Sequence, residues 1–148
     1  MGVWWPNTPH SSQSSCDASI VYHARTRLGK ERDELGVIAD QVGTPTNAAD
    51  LADVCLKICG QLDDWSITNQ VYHFSNEGVC SWYDFACAIM ELNKIQCNIN
   101  PIETTDYITK AKRPQYSVLN KSKIKKQFSI EGINWRQSLA DQISNSMH

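Results

Sequence analysis

Apolar residues recur along this chain in two rhythms, one of three to four residues and one of short unbroken runs. Leu51, Val54, Cys55, Ile58 and Leu62 form a helical stripe, with Asn47 placed to cap it, Asp50 in its first turn and Gly60 near its end. Trp82, Phe85, Ile89 and Leu92 form a second stripe behind Ser81 and Asp84, the S-x-x-D pattern of a capped helix start. A short basic helix is predicted from Asn120 to near Phe128, and after Gly132 a last helix carries Trp135, Leu139 and Ile143 on one face. Between these lie apolar runs at 36–40, 71–74 and 99–102, predicting strands, with turn chemistry in QVGTPTN and in Asn76-Glu77-Gly78. Strands alternating with helices predict an α/β arrangement in which short strands are covered by helices.

That periodicity organises residues 28–148 as one domain. Residues 1–27, rich in Ser and holding Pro6 and Pro9, show no sustained period and predict a poorly ordered leader. Order is expected from about Arg27, where the charged stretch RLGKERDEL could close a helix.

Composition narrows the function classes. A 41% hydrophobic content with five Trp and five Tyr is enough for a core, and a net charge of −2 gives no surplus of base for nucleic acid. No run of about 18 apolar residues suggests a membrane span, and the N-terminus lacks a secretory pattern, so a cytoplasmic protein is expected. Six cysteines are then expected reduced, with Cys55 and Cys59, one helical turn apart, read as core residues. His10, His23, His73 and His148 have no metal-ligand spacing.

For chemistry, the absences are informative. The seven glycines, at 2, 29, 36, 43, 60, 78 and 132, never cluster as a phosphate-cradling loop requires. The positions four after the five tyrosines are Thr26, Asn76, Cys87, Ala111 and Asn120, so the Tyr/Lys pair that protonates a carbonyl in short-chain dehydrogenases is missing. Half of the Lys and Arg residues, seven of 14, sit between Lys110 and Lys126 with no acid among them. Such a cluster is either a solvated face or a site for an anion.

The blocks DQVGTPTNAADLA at 40–52, VYHFSNEGVCSWYDFACAI at 71–89 and RPQYSVLNKSKI at 113–124, closed by NWRQSL at 134–139, resemble dTDP-4-dehydrorhamnose reductase. The resemblance runs over roughly 28–143 and implies an extended short-chain dehydrogenase with a Rossmann-like NAD(P)-binding fold, of which this sequence matches the C-terminal, substrate-binding portion. It implies NADPH as the cofactor of full-length members and a dTDP-sugar as the ligand. It also implies contact with the nucleotide diphosphate for Arg113, and a place near the sugar-nucleotide cleft for Gln41, Gly43, Pro45 and Thr46. Ser81 and Trp82 are read first as a helix cap and its anchor. The glycine-rich loop and the Tyr/Lys pair belong to the portion that is not matched. The expectation is therefore a substrate-binding fragment of a truncated gene, without NADPH binding or turnover of its own. A separate nucleotide-binding half or a second copy is a conceivable partner, and a non-catalytic binding or regulatory subunit on the same fold is the alternative.

Overall fold

The computed structural model of the chain describes residues 18–61, 70–107 and 112–145. The leader up to residue 17, with Cys16, and the expected stripe and cluster members Leu62 and Lys110 lie outside the described residues.

The first element is α1 (Ala18–Glu31), followed by β1 (Glu34–Ile38), β2 (Val42–Gly43) and α2 (Ala48–Gln61). Then come β3 (Cys80–Ser81), α3 (Trp82–Leu92), β4 (Asn98–Ile102) and a 3-10 turn (Thr104–Asp106). The chain closes with α4 (Ser122–Phe128) and α5 (Trp135–Asn145). β1 and β4 pair in parallel, Glu34 opposite Asn98 through Ile38 opposite Ile102. A parallel pair needs a long crossover, and here it contains α2, β3 and α3. β2 and β3 form a separate antiparallel pair, Val42 opposite Ser81.

The main core lies between the parallel pair and the helices α1, α3 and α5. α3 contributes Phe85, Ala86, Ala88, Ile89 and Met90, β1 contributes Leu35 and Val37, and α5 contributes Leu139 and Ile143. Leu35 and Ile89 are almost completely enclosed, and each such side chain removed from water contributes roughly 2 kcal/mol. The small residues on α3 let α1 come close. A Cβ at Gly29 would lie 2.5 Å from Met90 Sδ. A second, smaller cluster joins Val54 of α2 to Ile124, Phe128 and Ile130, with Ile58, Tyr72 and Phe74 packed against it. Tyr72 meets Phe128 edge-on at 5.2 Å.

The α3 start is the one the sequence pattern implies. Asp84 N–H donates to Ser81 Oγ at 3.0 Å, and Asp84 Oδ2 accepts the Ser81 N–H at 2.8 Å. Asn47 Oδ1 accepts the Ala49 N–H at 3.0 Å, closing the α2 start.

Three expectations are corrected. Helical order begins at Ala18, ahead of Arg27. α1 hides its period because only one narrow line of it, anchored by Tyr22, is buried; the Tyr22 hydroxyl donates to Asn93 Oδ1 at 3.1 Å. Residues 71–74 form no strand. Their alternation instead turns Tyr72 and Phe74 into the second cluster while Val71 and His73 face solvent. Cys55 and Cys59 are exposed, because α2 meets the rest of the fold through Val54 and Ile58.

Candidate functional site

β2 is the hinge of the site. On one side it pairs with β3, and on the other the Val42 N–H donates to Gln115 O at 2.8 Å while Val42 O accepts the Ser117 N–H at 2.9 Å. The segment carrying Arg113 and Pro114 is thereby drawn beside the loop after β2 and the start of α3. Together they enclose a cleft of about 200 Å³.

Its walls are Gln41, Val42, Gly43, Thr44 and Pro45 from the first segment, Cys80, Ser81, Trp82 and Phe85 from the second, and Arg113, Pro114 and Ser117 from the third. Of the five residues singled out in the sequence, Gln41, Gly43, Pro45 and Arg113 converge here from positions up to 72 residues apart (113 − 41). Thr46 lies half-buried outside the lining, one residue before the Asn47 cap. Ser81 and Trp82 both cap or anchor α3 and line the cleft. Cys80, Thr44 and Ser117 carried no sequence signal of their own, and Phe85 was marked only as a core position of its helix. Their spacing to the other wall residues is set by strand pairing and not by sequence distance.

The first segment of the wall is held from behind. Gln41, buried, donates through Nε2 to Thr104 Oγ1 at 3.0 Å. Thr104 in turn donates through its backbone N–H and hydroxyl to Asp40 Oδ1, at 3.0 and 2.7 Å. Hydrogen bonding from Thr104 is the main reason that the Asp40 carboxyl sits below its ordinary pKa. Thr44 Oγ1 donates to Gly78 O at 2.8 Å, tying the loop after β2 to the turn before β3. Gly78 turns there with φ of +87°, the left-handed region that glycine enters without strain. At the back, Asn47 Nδ2 donates to Ser138 Oγ at 2.9 Å, and Ser138 Oγ donates to Asp50 Oδ2 at 2.6 Å.

The electrostatics are concentrated. Arg113 is the one charged side chain lining the cleft, it is exposed, and among the described residues it is in no ion pair. Cys80 is the opposite case. Burial, aided by the nearby Asp84 carboxylate, pushes its thiol up to about 12, so it stays protonated and acts as an apolar wall.

The basic cluster does not act as one anion site. Lys121 and Lys125 both reach Glu77 Oε1 at 2.9 Å. Lys121 also donates to Asn76 O at 2.7 Å, and Lys123 lies over the Tyr72 ring at 4.5 Å. Burial alone would raise the Glu77 carboxyl, but the hydrogen bonds and charges of the two lysines outweigh it and hold the pKa below its ordinary value. These lysines fasten α4 to the turn at residues 76–78, leaving Arg113 as the cation presented to the cleft.

A dinucleotide pyrophosphate needs free amides at a helix start or in a glycine-rich nest. The starts of α2 to α5 are closed by their own side chains: Asn47 on Ala49, Ser81 on Asp84, Asn120 on Ser122 and Asn134 on Arg136. Each of these four starts thus has one of its amides already taken by a side chain. Among the described residues no group of His, Cys, Asp and Glu is arranged to hold a metal ion, and no helix is long and apolar enough to cross a membrane.

The family model described as the RmlD substrate binding domain matches residues 20–147. A dTDP-4-dehydrorhamnose reductase of Aggregatibacter actinomycetemcomitans is 42% identical over 120 residues, covering 76% of this chain and 41% of the relative. The spore coat polysaccharide biosynthesis protein SpsK of Bacillus subtilis is 38% identical over 115 residues, covering 78% and 38%. Among solved structures, a dTDP-4-dehydrorhamnose reductase of Clostridium acetobutylicum superposes with a TM-score of 0.78 at 36% identity, over 86% of this chain and 44% of that one. The Bacillus anthracis enzyme, solved in complex with NADP, gives 0.71 at 33% identity, over 80% and 40%. The chain thus spans about two fifths of the length of these relatives, and its α/β fold is part of their Rossmann-like architecture. The chain belongs to the RmlD substrate binding domain family.

Proposed function

We propose that this chain recognises a dTDP-sugar, serving the substrate side of an NADPH-dependent reduction of dTDP-4-dehydrorhamnose. The observation that carries the reading is the convergence of Arg113 with Gln41, Gly43 and Pro45 on one cleft, from two segments joined only by folding. A guanidinium that is in no ion pair among the described residues suits a diphosphate, because its planar fork meets two phosphate oxygens at once. The names of the relatives supply the substrate and cofactor classes.

On this reading the chain binds and orients the substrate and does not itself transfer hydride. Its 148 residues contain no glycine-rich loop and no Tyr with a Lys four positions on, and hydride transfer needs cofactor and proton donor held in one geometry. A nucleotide-binding portion, of the kind that the remaining length of the relatives can hold, would complete the reaction.

The test is thermal denaturation of the full chain in rising dTDP, comparing wild type with Arg113→Ala. Ligand that binds only the folded state raises the midpoint in proportion to the logarithm of its excess over Kd. A dTDP-dependent rise that R113A abolishes supports the reading; no rise in the wild type contradicts it. NADPH oxidation by the pure chain with a dTDP-4-keto sugar would contradict the division of labour.

A further inference from the structure

We propose that Trp82 is the aromatic platform on which the nucleobase of the ligand stacks, making it a specificity-determining residue of the cleft. The proposal rests on the nucleotide-sugar reading above and assigns the ligand's orientation within it.

The cleft is asymmetric. Arg113 supplies its one charge, whereas α3 supplies Trp82 with Phe85 one turn further along, beside the buried, protonated Cys80. The rings of Pro45 and Pro114 add rigid apolar surface. Such a cavity favours a ligand with a flat, weakly polar body at one end and an anionic group at the other. Inorganic phosphate would leave the aromatic wall unused, and an apolar ligand would leave Arg113 unused.

Size selects which part of a nucleotide sugar enters. At about 200 Å³ the cleft is smaller than the roughly 300–1,000 Å³ of pockets that enclose a whole ligand. It accommodates one end of the molecule. With the diphosphate at Arg113, the aromatic wall is left for the flat base, and the sugar extends away from it.

Trp82 is also prepared for stacking. It is the first residue of α3, so the reciprocal Ser81 and Asp84 hydrogen bonds fix its backbone. Part of its indole packs on the main core and the rest borders the cleft. Phe85 is fully buried and held edge-on by Trp135 at 5.8 Å, which stiffens the layer behind. A half-buried, pre-ordered indole loses little side-chain freedom when a base lands on it.

The experiment compares wild type, Trp82→Leu and Trp82→Phe of the full chain, titrated by calorimetry with dTDP and with inorganic pyrophosphate. Leu keeps an apolar anchor but removes the ring, and Phe keeps both. The expected result is dTDP affinity about tenfold weaker in W82L, as loss of one base–aromatic stack implies. Pyrophosphate affinity should be unchanged, and W82F should lie close to wild type. Undiminished dTDP affinity in W82L overturns the proposal, and so does equal loss of dTDP and pyrophosphate binding, which would mark a structural role. If the wild type binds no dTDP, the nucleotide-sugar reading falls and takes this proposal with it.

Discussion

Asn76 Oδ1 accepts the backbone N–H of Asn47 at 2.8 Å, joining the turn before β3 to the start of α2. Asn76 is 1% exposed, and its Nδ2 donates both to Asp50 and, at 3.2 Å, to Ile133 O. One amide thus satisfies polar groups from two separate segments, the α2 start and the stretch before α5.

Removing it should be expensive. Asn76→Ala leaves the Asn47 N–H without its partner in a part-buried setting, where an unsatisfied group costs about 1–3 kcal/mol, whereas the Ile133 carbonyl keeps the Glu77 N–H. A loss of about 1–3 kcal/mol is expected by urea denaturation, with an unchanged m-value. A loss under about 1 kcal/mol would mean that water replaces the amide.

Gly43 and Ser117 should behave as a coupled pair. A Cβ at position 43 would lie 2.6 Å from Ser117 Oγ. Gly43→Ala should therefore weaken the β2 contact by about 1–2 kcal/mol, the usual cost of local overpacking. Ser117→Ala, which removes the colliding oxygen, should recover most of it in the double variant. A strictly additive cycle would contradict the clash.

Acid stability should report on Glu77. A carboxyl whose folded pKa is depressed stabilises above its unfolded value, about 4.3 for Glu, and that contribution is lost as pH falls through the lower folded value. Wild type should accordingly lose stability below about pH 4.3 more steeply than Glu77→Gln, as followed by thermal midpoints across pH. Parallel profiles would show that the two lysines do not hold the carboxylate.

The cysteines should separate by reactivity. Cys55 and Cys59 are exposed, while Cys80 is buried with its thiol pushed up to about 12. At pH 8 a thiol reagent should label Cys55 and Cys59 rapidly and reach Cys80 only on unfolding, as read by peptide mass mapping. Fast labelling of Cys80 in the folded chain would mean that the cleft wall opens.

Much of this was legible in the sequence where the cause is local. The α3 start follows from Ser81 and Asp84, the α2 start from Asn47, and the α5 face from Trp135, Leu139 and Ile143, because caps and stripes act within a few residues. What was not legible depends on distant partners. Tyr72 and Phe74 alternate like a strand but bury against α4, and Lys121 and Lys125 of the basic cluster pair with Glu77, 44 residues upstream of Lys121. The cleft shows both cases. Gln41, Gly43, Pro45 and Arg113 were found through their blocks, whereas Cys80 and Ser117 reach it only through the pairing of β2 on both sides.

The contact between Gly29 and Met90 makes the tolerance of one position depend on the other. A methyl at 29 would occupy the space of the Met90 sulfur, so the end of that flexible side chain must turn aside before α1 can carry anything larger there. A chain that has already exchanged Met90 for a shorter residue should therefore accept a side chain at 29 more readily, so the order in which the two changes arise sets which sequences are reached.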